Sequence, residues 1–203
     1  MASGLLDPDG YFFRTSEEVQ VSGEPYAVEI EIKAQIEKAL SLGIEATHVD
    51  THMGSVGSIK FISSYLQLSK QYGLPPMIMR LDKKSWIQMG FDDETADVAV
   101  QMVHLLEEQG VPLLDRISGL ELNKAPKPEE RIAYAKQVLS ELEPGITHFI
   151  IHPSKDTPEL RSITPDWIYR VADYAAFLDH SLQDFIEKSG IQVIGYRSLK
   201  NLM

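Results

Sequence analysis

Short apolar runs alternate with longer amphipathic segments along the whole chain. Residues 25–42 predict a helix, because Ile30, Ile36 and Leu40 form an apolar stripe and Gly43 provides a stop. Further helices are predicted over residues 57–72, from Asp92 to about Gly110, from Pro126 to Pro144, and over 164–188. Strands are predicted over residues 46–52, 77–81, 113–114, 147–152 and 191–196, and residues 1–23 are predicted to be a loop.

This order of strand and helix predicts the α/β class. The strands are brief and apolar on both faces, as in a parallel sheet covered by helices, and connections are short. A barrel and a doubly wound sheet both fit the pattern, and we expect one domain over residues 1–203. In either architecture, chemistry lies at the carboxyl ends of the strands.

The first candidate site follows the strand predicted over residues 46–52. In an extended strand, His48, Asp50 and His52 point to the same face. Imidazole nitrogen and carboxylate oxygen are good ligands for Zn²⁺ or similar ions. We therefore expect one or two of these side chains to bind metal and the others to orient the ligands. The alternative is a half-buried polar strand end without a functional role.

The second candidate is His152, which ends an apolar strand and precedes Pro153. The proline favours an extended conformation at His152, so that its imidazole would face the same cleft. The alternative is a histidine that only bonds a loop carbonyl. His148 lies at the start of this strand, and His104 and His180 lie on predicted helices, so we expect these three to be structural or solvated.

Three further residues are weaker candidates. Asp115 follows the predicted strand 113–114 and is either a site carboxylate or a helix cap. Arg197 follows the last predicted strand and either orients an acid in the site or pairs at the surface. Trp86 lies in a predicted loop, where its ring could stack on a sugar, and core packing is the alternative.

The amino-acid composition restricts the possible metal ligands and binding partners. The chain contains no cysteine, so any metal must be held by His, Asp or Glu, and a reducing, cytoplasmic location fits. The net charge of −11 disfavours nucleic acid and anionic membranes as partners and suits a neutral substrate such as a sugar. There is no long apolar run, signal peptide, P-loop, GxGxxG or GxSxG motif.

Four segments together resemble one family. Residues 47–52 (Thr-His-Val-Asp-Thr-His) resemble the THxDSH motif of the YdjC/ChbG family of carbohydrate deacetylases, and residues 151–154 (Ile-His-Pro-Ser) resemble its second His-Pro motif. Residues 191–199 resemble the family's closing I-x-L-I-x-Y-R-x-L segment, and residues 6–12 resemble its L-x-D-P-D-G-x-F loop. The order and spacing agree over nearly the whole chain.

The resemblance implies a distorted (β/α) barrel and a divalent metal, Zn or Mg, in removing N-acetyl groups from amino sugars or oligosaccharides. It implies His52 and His152 as metal ligands. The family usually opens with Ala-Asp-Asp-Phe-Gly, whose aspartates serve as ligand and base, and this segment does not occur here. We therefore expect a barrel without its first β/α unit and with an exposed edge that favours self-association. Asp50, Asp115 and Arg197 are the remaining catalytic candidates, and Trp86 is the candidate for substrate contact.

Three functions stay open at this point. The first is a metal-dependent carbohydrate N-deacetylase. The second is a catalytically inactive or truncated relative that binds carbohydrate or a protein partner, which the missing aspartates favour. The third is another metal-dependent hydrolase, acting on phosphoesters or amides, although the acidic charge disfavours phosphorylated substrates.

Overall fold

A computed structural model describes residues 3–203 of the chain. The helices and strands, in chain order, are α1 (Ser16–Ser22), α2 (Pro25–Ser41), a 3₁₀ turn (His52–Gly54), α3 (Ile62–Gln71), α4 (Lys83–Gln88), α5 (Asp93–Glu108), β1 (Arg116–Gly119), α6 (Pro128–Ser140), β2 (Thr147–Ile150), α7 (Pro158–Ile163), α8 (Trp167–Leu178), α9 (His180–Lys188) and α10 (Tyr196–Lys200). The strands are parallel and the class is α/β, as predicted.

The chain divides into two compact units. The first runs to Leu113 and also contains Gly195–Met203, and the second is Leu114–Ile194. That residues 1–203 form one domain stays a prediction. In the part of the chain that is described, no helix is long and apolar enough to span a membrane.

The first unit is largely helical. Helix α2 packs on α3, and α4 packs on α5. Tyr65, Trp86, Ala96 and Val103 contribute to its main hydrophobic core. Asp82 and Asp92 cap α4 and α5 by accepting hydrogen bonds from the backbone N–H groups three residues on.

The second unit carries the sheet. Strands β1 and β2 pair in parallel, with Arg116 opposite Thr147 and Gly119 opposite Ile150. Helix α6 packs on α8 and α9, and Ala135, Ala176 and Leu182 are fully buried where these helices meet the core. The two alanines allow these helices to pack closely, because the distance between helix axes depends on the side chains at the contact.

Several predicted strands were wrong. Residues 46–52 and 77–81 do not form regular strands, and the isolated parallel bridge of Val49 is with Pro76, just before the second range. Pro75 and Pro76 have no backbone N–H to donate, which limits the ladder there. Residues 191–195 have no regular structure and α10 begins at Tyr196. The strand predicted at 113–114 lies at Arg116–Gly119 instead.

Two other predictions also differ from the structure. The long helix predicted over 164–188 is broken, because Asp179 has an extended backbone and its side chain caps α9 by accepting a hydrogen bond from Ser181 N–H at 2.8 Å. Within the predicted loop 1–23, Thr15 and Glu18 form a capping box that begins α1.

Candidate functional site

The segment that carries His48, Asp50 and His52 is extended and held through Val49. The Val49 N–H donates to the Pro75 carbonyl at 3.0 Å, and the Val49 carbonyl accepts from Met77 N–H at 3.1 Å. The buried Tyr65 hydroxyl also donates to the Val49 carbonyl, at 2.7 Å, and accepts from Met77 N–H at 2.9 Å. This pairing fixes the backbone on both sides of Val49, and so it positions the candidate side chains that flank it.

His52 opens a tight turn that α1 holds in place. The buried Thr51 hydroxyl accepts from Val56 N–H at 3.1 Å. Met53 has a φ of 56°, an uncommon left-handed conformation for a residue other than glycine. One turn apart on α1, Ser16 donates to the Met53 carbonyl and Gln20 to the Gly54 carbonyl, both at 3.1 Å. The strained turn is thus fixed by specific hydrogen bonds, which is common at functional sites.

A cavity of about 430 Å³ lies beside this segment. His48, Asp50 and His52 all line it, and most of the remaining wall is apolar, with Glu31 and Gln35 of α2 as further polar members. Both Asp50 and His52 are exposed residues. The three predicted side chains thus border one cavity, although they do not lie on a regular strand, and their functional role stays a prediction.

His48 is covered by helix α10. Its imidazole stacks on Tyr196 with ring centroids 3.9 Å apart and planes within 5°. Arg197 pairs with Glu45, and the hydrogen bond from its guanidinium lowers the pKa of that carboxyl. Arg197 thus takes the surface pairing considered above, with the acid just before the candidate segment as its partner.

In the second unit, His152 follows the carboxyl end of β2. Its backbone N–H donates at 2.9 Å to Oδ2 of Asp173, a fully buried residue of α8. Two residues on, Ser154 N–H donates to the Arg170 carbonyl at 3.1 Å. The loop that carries His152 is therefore fastened to α8 by two backbone N–H groups.

Asp115 lies at the opposite end of the same strands. Because β1 begins at Arg116, Asp115 precedes the strand and does not follow it, which corrects the predicted position. Its carboxylate accepts from Ile146 N–H at 2.7 Å, just before β2 begins. Asp115 therefore joins the two amino ends of the strands, while His152 lies beyond the carboxyl end.

Trp86 is not the exposed loop aromatic that the sequence suggested. It lies in α4, is 7% exposed, and packs edge-on against Phe91 with centroids 5.1 Å apart. The structure thus places this indole in the core of the first unit, the alternative considered for it.

Sequence reasoning missed three residues that support these positions: Tyr65, Arg131 and Asp173. Tyr65 and Arg131 carry no local signal, because their partners are distant in the chain. Asp173 did carry one: it is a lone acid within the apolar run 171–177, and such an acid needs a partner once the helix is buried.

The donor chemistry at the first segment suits a divalent ion, since imidazole and carboxylate groups border one cavity. Their number falls short, however. Among residues 3–203, no group of three or more His, Asp or Glu side chains is placed so that it could hold a metal. Metal binding at His52 and His152 therefore stays a prediction.

Comparisons with known proteins point to one family. A family model described as "YdjC-like protein" matches residues 1–188. A protein of Thermoanaerobacter pseudethanolicus named "Carbohydrate deacetylase" is 28% identical over 196 residues, which cover 97% of this chain and 69% of that protein. A protein of Thermus thermophilus with the same name is 31% identical over 176 residues, covering 85% of this chain. The chain spans 60% of the length of that second relative.

A solved structure shows the same fold. It is a crystal structure of an Enterococcus faecalis V583 protein whose name refers to cellobiose-phosphate cleavage. The TM-score is 0.69 at 20% identity, with 97% of this chain and 69% of the other covered. At this identity the similarity supports the fold only.

Proposed function

Because this chain belongs to the YdjC-like protein family, we propose that it is a hydrolase that removes N-acetyl groups from amino sugars or their oligosaccharides. The observation that carries the proposal is the family match over residues 1–188, together with two relatives named as carbohydrate deacetylases. The distorted (β/α) barrel and a cytoplasmic location are parts of the same proposal. A net charge of −11 is compatible with a neutral sugar substrate.

Metal dependence is the next part of the proposal, with His52 and His152 as ligands and Zn²⁺ or Mg²⁺ as the ion. A bound divalent ion would supply a water whose pKa is lowered toward neutrality. The exposed carboxylate of Asp50, which borders the same cavity as His52, is our candidate for the general base.

The other candidate residues take supporting roles in this proposal. Tyr65 fixes the backbone that presents Asp50 through its bond to the Val49 carbonyl, and α1 fixes the turn that presents His52. Arg197 pairs with Glu45, which directly precedes the segment 46–52, and so helps to hold that segment in place. Such fixed geometry matters because a displacement of about 1 Å in a catalytic group can reduce a rate about 100-fold.

The test is acetate release from N-acetylated chito-oligosaccharides, with Zn²⁺ or Mg²⁺ added and with EDTA as control. We expect His52→Ala and His152→Ala each to lower kcat/KM at least about 100-fold. This is more than the usual loss when a residue that only hydrogen-bonds a metal ligand is removed. His104→Ala is the matched control, because this exposed histidine pairs with Glu107, one turn further along the same helix α5. Unchanged release in both site variants would exclude the proposed ligands.

A second candidate function is carbohydrate binding without turnover. It is favoured by the lack of a three-ligand cluster among residues 3–203. Binding of the oligosaccharide by calorimetry, with no acetate released at any added metal concentration, would support this function over the first.

A further inference from the structure

A buried ion pair lies within the helical layer of the second unit. Arg131 of α6 and Asp173 of α8 are both 0% exposed, and Arg131 Nε donates to Asp173 Oδ1 at 2.7 Å. Neither residue belongs to the motifs by which the family was recognised.

The pair's remaining atoms hold two loops. Arg131 Nη1 donates to the carbonyls of Glu121 and Lys124, at 2.8 and 2.6 Å, in the loop that follows β1. Asp173 Oδ2 accepts from His152 N–H at 2.9 Å, in the loop that follows β2. Since β1 and β2 are paired in parallel, both loops leave the same end of the sheet, at the carboxyl ends of the strands.

Stability is a poor explanation for this pair. Removing two charges from water costs about as much as their attraction returns, and apolar replacements are often neutral or stabilising. Arg131 Nη2 is also buried without a hydrogen-bond partner in the described part of the chain, which adds to the cost. The loop that it holds contains Ala125 at a φ of 53°, a conformation that needs support from its surroundings.

We infer that Arg131 and Asp173 are positioning residues, which set the conformation of the loops after β1 and β2 and thereby the placement of His152. The consequence for catalysis rests on the proposed function, in which His152 is a metal ligand. The placement itself does not depend on that function, since it is a statement about hydrogen bonds to two loops.

The test is the double variant Arg131→Met/Asp173→Leu in the full chain. A single substitution would leave an uncompensated buried charge, whereas the apolar pair removes both charges together. The matched control is Asp156→Asn/Arg161→Gln, which removes a bidentate ion pair between exposed residues of the loop and helix that follow His152. Thermal unfolding first establishes that each variant is folded.

The primary readout is the backbone amide resonance of His152 in an NMR spectrum. We expect an upfield shift and faster solvent exchange in the double variant, because the carboxylate acceptor is gone, and no change in the control. We also expect kcat/KM for acetate release to fall about 10–100-fold at retained folding. A folded double variant with a wild-type His152 amide, or with a shifted amide and wild-type kcat/KM, would overturn the inference.

A measurement on the wild-type chain tests the inference even if the double variant does not fold. The His152 amide should exchange far more slowly than the amides of the exposed residues Lys155 and Asp156. Equally fast exchange would contradict the proposed bond to Asp173. If the wild-type chain releases no acetate, the proposed function fails, and the His152 amide still decides the positioning role.

Discussion

At the scale of single residues, Tyr196 shows how the environment of the candidate segment alters chemistry. Its ring stacks on His48, and burial, followed by the negative charge of Asp50, raises its pKa to about 12. The same two causes raise the pKa of Tyr65, with burial again the larger. Both phenols therefore stay protonated well above neutral pH.

The raised pKa of Tyr196 predicts an alkaline loss of stability. As the pH rises above about 10, the unfolded chain loses the phenol proton while the folded chain keeps it, so unfolding becomes more favourable. The stabilising effect is complete below pH 10 and is lost as the pH rises toward 12. We expect Tyr196→Phe to make the fall in the free energy of unfolding between pH 9 and 11 shallower.

Urea unfolding across that pH range measures this effect. Tyr26→Phe is the matched control, because Tyr26 is 74% exposed on α2. An equal slope in wild type and Tyr196→Phe would show that the phenol of Tyr196 titrates as it does in the unfolded chain.

The sequence predicted residues better where the signal is local. His48, Asp50 and His52 stand two residues apart in the sequence, and all three line one cavity. Asp173 and Arg131 are 42 residues apart, and their pairing depends on how α6 packs on α8. No pattern along the chain predicts such a pair.

At the scale of elements, helices with clear stripes and caps were predicted well. The helix predicted over 25–42 is found at Pro25–Ser41, and Asp92 caps α5 as the acidic run indicated. Strands were predicted less well, because an apolar run does not show whether a partner with free N–H groups will lie beside it. Residues 147–150 meet such a partner, whereas residues 46–52 meet Pro75 and Pro76.

The approach of β1 to β2 predicts a strict requirement at Gly119. A Cβ atom there would lie 2.5 Å from the Ile150 carbonyl oxygen and 2.9 Å from the Ile150 Cβ. Because the obstacle includes backbone, it cannot rotate away, and we expect Gly119→Ala to lower the free energy of unfolding by about 2–3 kcal/mol.

Chemical denaturation measures this cost. Gly195→Ala is the control, since a Cβ there would meet nothing within 4 Å and the φ of −99° suits any residue. A Gly119→Ala variant as stable as Gly195→Ala would mean that the two strands separate at this end without cost.

At the scale of the whole molecule, the chain returns to its first unit at the end. Gly195–Met203 belong to that unit, although 81 residues of the second unit come between, from Leu114 to Ile194. Three contacts fasten α10 to residues 45–48, at the start of the candidate segment: Tyr196 stacks on His48, Arg197 pairs with Glu45, and Lys200 donates to the Ala46 carbonyl at 2.8 Å. Leu199, 6% exposed, adds a buried apolar side chain.

This arrangement predicts that ending the chain after Ile194 weakens the first unit. Burial of Leu199 contributes about 2 kcal/mol and the aromatic stack about 1 kcal/mol, so the free energy of unfolding should fall by about 3 kcal/mol. Without Tyr196 against it, the His48 ring should also become mobile, which is visible as sharpening of its NMR resonances. Removing only residues 201–203, all exposed, is the control and should change neither property. If the longer deletion leaves both stability and the His48 signals unchanged, then α10 does not hold the candidate site, and the segment 46–52 is fixed by Tyr65 and α1 without it.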